Sequence, residues 1–190
     1  MSTVSEQTWE VHKILTDLHL PYAIIGGTAV QIWGEPRFTK DLDLTVLAPI
    51  ESFSETIELL LTRLTPRIED ALSFALRSRV LLVQTPSGYP VDISFGLPGY
   101  EEEVISRAVE QEIAPGRKVC FCSAEDLLIH KLTAGRVQDV IDAQNIIARQ
   151  RGQLDAAYIR SWLKIFSDLL ETDDIIDRFE QAWRQYGPDA

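Results

Sequence analysis

Apolar residues recur along this chain at two different periods, and the change from one to the other divides it. Between Thr8 and Leu18, the residues Trp9, Val11, Ile14, Leu15 and Leu18 fall at helical spacing, and Pro21 ends the run. Tyr22 to Ile25 reads as a short buried strand. Gly26-Gly27 turns the chain, and Thr28 to Trp33 reads as a helix stopped by Gly34 and Pro36. Leu42 to Leu47 is a second strand, halted before Pro49. Ser52 to Leu64 places Phe53, Ile57, Leu60, Leu61 and Leu64 on one helical face. Val80 to Thr85 and Val91 to Phe95 are β-rich runs around Pro86-Ser87-Gly88-Tyr89-Pro90, the pattern of a hairpin with a five-residue loop. Gly99 to Val109 reads as helix and Val119 to Cys122 as a strand.

Beyond that point only the helical period remains. Ser123 with Asp126 three residues later forms a capping box before an apolar run. Helices are expected at Ala124 to Thr133, Val137 to Arg149, Asp155 to Leu170 and Asp173 to Tyr186, punctuated by Gly135 and Gly152. The fold class is therefore α/β (α+β): a mixed core over residues 1–123 and a helical portion over 124–190. No repeat or Gly/Ser linker separates them, so a structural transition is expected there rather than a flexible hinge.

Composition narrows the function classes. The chain is 45% apolar and 25% charged, as in ordinary globular proteins. Met1 to Thr8 is polar and lacks the apolar core of a signal peptide, and no apolar run approaches a membrane span. Cys120 and Cys122 are too close in sequence to staple a fold, which points to a reducing cytoplasm. The net charge of −11, from 18 basic and 29 acidic residues, argues against an extended nucleic-acid footprint, because phosphate binding draws on clustered Lys and Arg. A local basic patch for an RNA end or a nucleotide stays compatible with it. The four tryptophans lie on or near amphipathic helices and are expected in the core. His12, His19 and His130 show no ligand spacing.

The chemistry is concentrated in Ile24-Ile25-Gly26-Gly27-Thr28 and Thr39-Lys40-Asp41-Leu42-Asp43-Leu44. Residues two apart on a strand share a face, so Leu42 and Leu44 turn to the core while Asp41 and Asp43 turn outward together. Two such carboxylates repel by roughly 1 kcal/mol in water and by more in a half-buried cleft. A divalent cation converts that repulsion into attraction, and Mg²⁺ suits a few carboxylates completed by phosphate and water. Asp-x-Asp by itself reads equally as a solvated strand end, and Gly-Gly by itself as a turn. Together they place a phosphate-cradling helix start beside candidate metal ligands. Asp92, in Val91-Asp92-Ile93-Ser94-Phe95, would be a third carboxylate if its strand neighbours that of Asp43. A two-metal site then becomes possible, with Asp92 assisting deprotonation of the attacking hydroxyl.

These motifs resemble the nucleotidyltransferase fold of the polymerase-beta-like superfamily, and in particular its minimal abortive-infection-type toxin branch. Gly26-Gly27-Thr28-Ala29-Val30 and Arg37-Phe38-Thr39-Lys40-Asp41-Leu42-Asp43 match the branch's first signature. Lys131, then Arg136-Val137-Gln138-Asp139-Val140-Ile141-Asp142, matches a second. The likeness spans about Tyr22 to Ile147. It implies a small mixed sheet flanked by helices, with Mg²⁺ or Mn²⁺ on Asp41, Asp43 and Asp92. It also implies a nucleoside triphosphate (NTP) near Gly26, Gly27, Thr28 and Arg37, with Lys131 on the triphosphate and Asp139 or Asp142 in a supporting network. Read from the residues alone, Lys131 is equally a snorkelling surface lysine, and Arg136, Asp139 and Asp142 are equally surface ion pairs.

The expected function is metal-dependent transfer of an NMP from an NTP to a hydroxyl acceptor. For a toxin-like protein the acceptor would be RNA, with a cognate antitoxin as a further partner. The alternatives are a small-molecule nucleotidyltransferase of the aminoglycoside type, or a non-catalytic nucleotide-binding module.

Overall fold

A computed structural model describes residues 4–96 and 99–188. Its elements in chain order are α1 (Val4–Asp17), β1 (Tyr22–Ile24), α2 (Gly26–Trp33), β2 (Leu42–Val46), α3 (Phe53–Leu61), β3 (Thr65–Pro66) and α4 (Ala71–Ser78). Then follow β4 (Val80–Gln84), β5 (Pro90–Phe95), α5 (Tyr100–Ser106), β6 (Val109–Ala114), β7 (Arg117–Phe121), α6 (Ala124–Ala134), α7 (Val137–Arg149), α8 (Ala156–Leu169) and α9 (Asp174–Tyr186). The chain divides into two compact units. One comprises Met1–Gly27 and Thr39–Cys122, and the other Thr28–Phe38 and Ser123–Ala190. The segment after Gly27 thus groups with the C-terminal helices.

The first unit holds the whole sheet, in the order β3-β4-β5-β2-β1-β7-β6. It is mixed: β2 runs parallel to β5 and antiparallel to β1, while β1 runs parallel to β7. Central strands bury one face fully. Leu42, Leu44, Leu81, Val83, Val91 and Ile93 have no exposed surface. This is the period-2 pattern expected for β2 and β5, and it fixes their register, because a one-residue slip would turn every leucine outward. Thr45 is an exception on β2, buried and donating to Glu101 at 2.9 Å.

Three elements depart from the sequence expectation. The stretch read as helix from Gly99 to Val109 is helical only over Tyr100–Ser106, and Val109–Ala114 pairs with β7 as an edge strand. Its solvent-facing glutamates hide the strand pattern. The short β3 and helix α4 were not anticipated. β3 spans two residues and exists through pairing with β4. The tryptophans are a further correction: Trp9, Trp33, Trp162 and Trp183 are all half-buried rather than core.

In the second unit α6 packs on α7 and α8, and α9 packs on α7 and α8. Ser123 caps α6, accepting from the Asp126 N–H at 3.1 Å, and Tyr158 of α8 donates to the buried Asp126 at 2.7 Å. α6 ends at Gly135, whose φ of +63° suits glycine. An added Cβ there would also come within 2.8 Å of Arg178 Cζ. The end of α2 is held by α7: Gly34 lies against Ile146, and Arg149 donates to the Gly34 carbonyl at 2.6 Å. Among the described residues no helix is long and apolar enough to cross a membrane.

Candidate active site

Asp41 and Asp43 stand where alternation puts them, half-buried on the face opposite the fully buried Leu42 and Leu44. Asp43 is the register partner of Asp92 across the parallel β2–β5 ladder. Residues paired across neighbouring strands share a sheet face, so Asp43 and Asp92 lie on one side, while Asp41 immediately precedes β2 and its charge acts on Asp92. Thr39 fixes the approach to the motif, donating to the Asp41 carbonyl at 3.0 Å with the Asp41 carboxylate 3.3 Å away.

The start of α2 closes on the same strand. The Ile25 N–H donates to the Asp43 carbonyl at 3.0 Å. At Gly26 an added Cβ would fall 2.6 Å from both Cβ and Cγ of Asp43, and φ there is +62°. Glycine is therefore required twice over, for the left-handed backbone and for the close approach to the carboxylate. Gly26 and Gly27 form the first turn of α2. Thr28 follows, with its hydroxyl buried and without a hydrogen-bond partner among the described residues.

Asp92 is ion-paired with Arg67, a residue the sequence did not single out. Arg67 follows β3 and is anchored by its N–H to the Leu82 carbonyl at 3.0 Å. Burial pushes the Asp92 carboxyl up. The charge of Arg67 opposes that, Asp41 adds to it, and the Arg67 hydrogen bond opposes it again. No signal in Thr65-Pro66-Arg67 could have revealed the pairing, since it depends on the two-residue edge strand.

Register thus brings Asp43 and Asp92 of the predicted triad together, with Asp41 just before β2. Among the described residues, no three His, Cys, Asp or Glu side chains form a group able to enclose a metal ion. The donor set nevertheless suits Mg²⁺, which is commonly held by one or two carboxylates and completed by substrate phosphates and water. Asp41 and Asp43 would hold it.

The second unit contains a separate ionic cluster. Lys131 is 7% exposed, not a snorkelling surface residue, and its ammonium lies 2.8 Å from Asp139 and 2.9 Å from Asp142. Asp139 and Asp142 are buried as well, which excludes the reading as surface ion pairs. Arg37 grips Asp142 with two hydrogen bonds, of 2.9 and 2.8 Å, and Arg136 reaches Asp139 at 2.8 Å. Burial raises the Asp142 carboxyl, but the hydrogen bonds from Arg37, Gln138 and Lys131 outweigh it and hold the group below the usual carboxylate range.

A glycine-opened helix beside an Asp-x-Asp strand, with a third aspartate in register on the neighbouring parallel strand, defines a nucleotidyltransferase. Residues 14–185 match the family described as nucleotidyl transferase AbiEii toxin, type IV toxin–antitoxin system. The chain belongs to that family. Solved structures share the fold at low identity. An antigenic nucleotidyltransferase-like protein from Paracoccidioides brasiliensis matches at TM-score 0.51 and 16% identity, over 93% of each chain. The antibiotic-resistance factor ANT(2'')-Ia matches at 0.53 and 17%, over 89% of this chain and 95% of that one. The lincosamide antibiotic adenylyltransferase LnuA matches at 0.50 and 12%, over 77% and 98%. A search of curated proteins finds no match.

Proposed function

We propose that the protein transfers an NMP from an NTP to a hydroxyl acceptor and releases pyrophosphate, with a divalent cation, Mg²⁺ or Mn²⁺, held by Asp41 and Asp43. The observation that supports this most directly is the Asp43–Asp92 register across β2 and β5, with Asp41 immediately before β2. A bound cation would neutralise the triphosphate and help ionise the acceptor hydroxyl. Gly26, Gly27 and Thr28 offer backbone N–H groups and a hydroxyl to phosphate at the start of α2. Asp92, freed from Arg67, accepts the proton of the attacking hydroxyl. Lys131, Arg37, Asp139 and Asp142 act as one ion cluster that sets α6 and α7. The direct triphosphate contact expected of Lys131 is not part of this reading, because its ammonium is already engaged by two carboxylates.

The resemblance to the toxin branch suggests RNA as the acceptor, and the family's toxin–antitoxin description suggests a cognate antitoxin as a partner. The net charge of −11 favours a second reading, a cationic small molecule. It has a parallel in the solved ANT(2'')-Ia complex with adenylyl-2''-tobramycin, which matches this chain at TM-score 0.52 and 18% identity. A transfer assay with α-³²P-labelled NTPs, Mg²⁺, and either total tRNA or aminoglycosides tests both. Label moving to RNA supports the first reading, and label moving to the drug supports the second. No transfer to either, from a folded protein that binds NTP, would overturn the assignment.

A further inference from the structure

Phe38 is the one aromatic residue between Arg37 and Asp43, and its side chain is 81% exposed. The backbone on either side of it is held. Gln31 donates to the Arg37 carbonyl at 3.4 Å, and Arg37 donates to the Phe38 carbonyl at 3.4 Å. The Arg37 guanidinium is in turn clamped on the buried Asp142. Thr39, the next residue, is buried and donates to the Asp41 carbonyl. A fixed stretch of chain thus carries an aromatic ring that adds almost nothing to the core.

The ring is not an isolated apolar spot. On α7, the helix that Arg37 grips, Val137 is 81% exposed and Ile141 43%, and residues four apart share a helix face. Arg136, at the start of the same helix, has an 80% exposed side chain. Its Nε donates to Asp139, and among the described residues its terminal nitrogens donate to nothing. Hydrogen bonds and ion pairs run without a break from the Phe38 carbonyl through Arg37, Asp142, Lys131 and Asp139 to Arg136. All of these residues belong to the second unit.

We propose that Phe38 and Arg136 form a platform for the single-stranded end of an RNA acceptor, Phe38 stacking a base and Arg136 taking a phosphate. This deepens the RNA reading of the acceptor and rests on it. An open aromatic ring beside an available guanidinium is the combination that holds unpaired nucleotides, because every base has a face to stack and every phosphate accepts from paired N–H groups. The net charge of −11 keeps the footprint short, since a duplex would lay its phosphates over an acidic surface. Arg136 repels a cationic drug. Phe38 precedes Asp41 by three residues, so the chain limits their Cα separation to about 11 Å. A few nucleotides cover that span.

The test is fluorescence anisotropy with a short, unstructured, labelled RNA of mixed sequence, over a salt series and without NTP or divalent cation. Phe38→Leu keeps an apolar side chain but removes the ring face. It should bind the RNA about tenfold more weakly than wild type, with an unchanged melting temperature and unchanged NTP binding, and Phe38→Trp should restore the affinity. Arg136→Gln should make the slope of log affinity against log salt shallower by about 0.7, as for one phosphate contact on a single strand. Wild type that does not bind the RNA, Phe38→Leu that binds it as wild type does, or Arg136→Gln with an unchanged slope would overturn the proposal. So would a Phe38→Leu variant that loses affinity for tobramycin and not for RNA. Label transferred to RNA by wild type, with RNA binding indifferent to Phe38, would overturn the platform alone. RNA binding that depends on Phe38, in a protein that transfers no label, would uphold the platform and overturn the transfer reading.

Discussion

The two clusters of charge in this protein are built on opposite rules. On the sheet face Asp41, Asp43 and Asp92 are half-buried, and Arg67 is ion-paired to Asp92. In the helical unit Lys131, Arg37 and Arg136 surround Asp139 and Asp142, and the lysine and both aspartates are almost fully buried. In the second cluster each carboxylate meets two cations, Asp139 with Lys131 and Arg136 and Asp142 with Lys131 and Arg37. In the proposed function a cation from outside would complete the first. The second completes itself, and its energy goes into fixing two helices. A lysine and aspartates at suggestive spacing therefore do not by themselves indicate a ligand. What decides is whether the structure has already spent the charges.

Four predictions would break or sharpen that contrast. The largest effect is expected from Asp43→Asn. Transfer of labelled nucleotide should fall by at least about 1,000-fold, the scale of losing a group that stabilises transition-state charge, while urea unfolding stays equal to wild type or improves as repulsion is relieved. A large loss of stability would mean that the sheet-face carboxylates are structural after all. Lys131→Met should behave in the opposite way. It leaves two buried carboxylates short of their shared partner, so unfolding free energy should drop by about 3–5 kcal/mol. A stable variant with impaired nucleotide binding would return Lys131 to the triphosphate.

Gly26→Ala comes next, because it forces a left-handed residue and a clash with the Asp43 side chain. A cost of about 1–3 kcal/mol is expected, together with weakened Mg²⁺ binding measured by calorimetry, since Asp43 must shift. The smallest effect is on pH dependence. The folded Asp142 carboxyl titrates below its unfolded value. Its contribution is therefore present above the unfolded pKa of about 3.9 and is lost as pH falls through the lower, folded one. Urea midpoints from pH 6 down to pH 2 should show wild type and Asp142→Asn converging at the acid end. Parallel curves would show that Asp142 is not held by its three donors.

Much of this was legible in order along the chain. The alternation at Leu42-Asp43-Leu44 placed the carboxylates opposite the core, and the period-3.6 pattern of α7 located Val137–Arg149 as the structure has it. Both signals are local, and each side chain's environment follows from its own neighbours. The failures were also physical. β6 is an edge strand whose alternate residues are polar, and β3 exists only through β4. Arg67 meets Asp92 across 25 residues, and Arg37 meets Asp142 across 105. No periodicity carries information over such separations.

The sequence alone determined the residue types of the candidate site: a glycine where the backbone must turn left-handed against a carboxylate, and two aspartates at and just before the start of one strand. It could do so because conformational restriction and strand alternation act within a few residues. Only the tertiary structure decided which charges remain available. Strand register set Asp92 beside Asp43, and burial closed Lys131 onto Asp139 and Asp142. Charge pairing and desolvation depend on what the chain brings together in space, and spacing along it does not encode them.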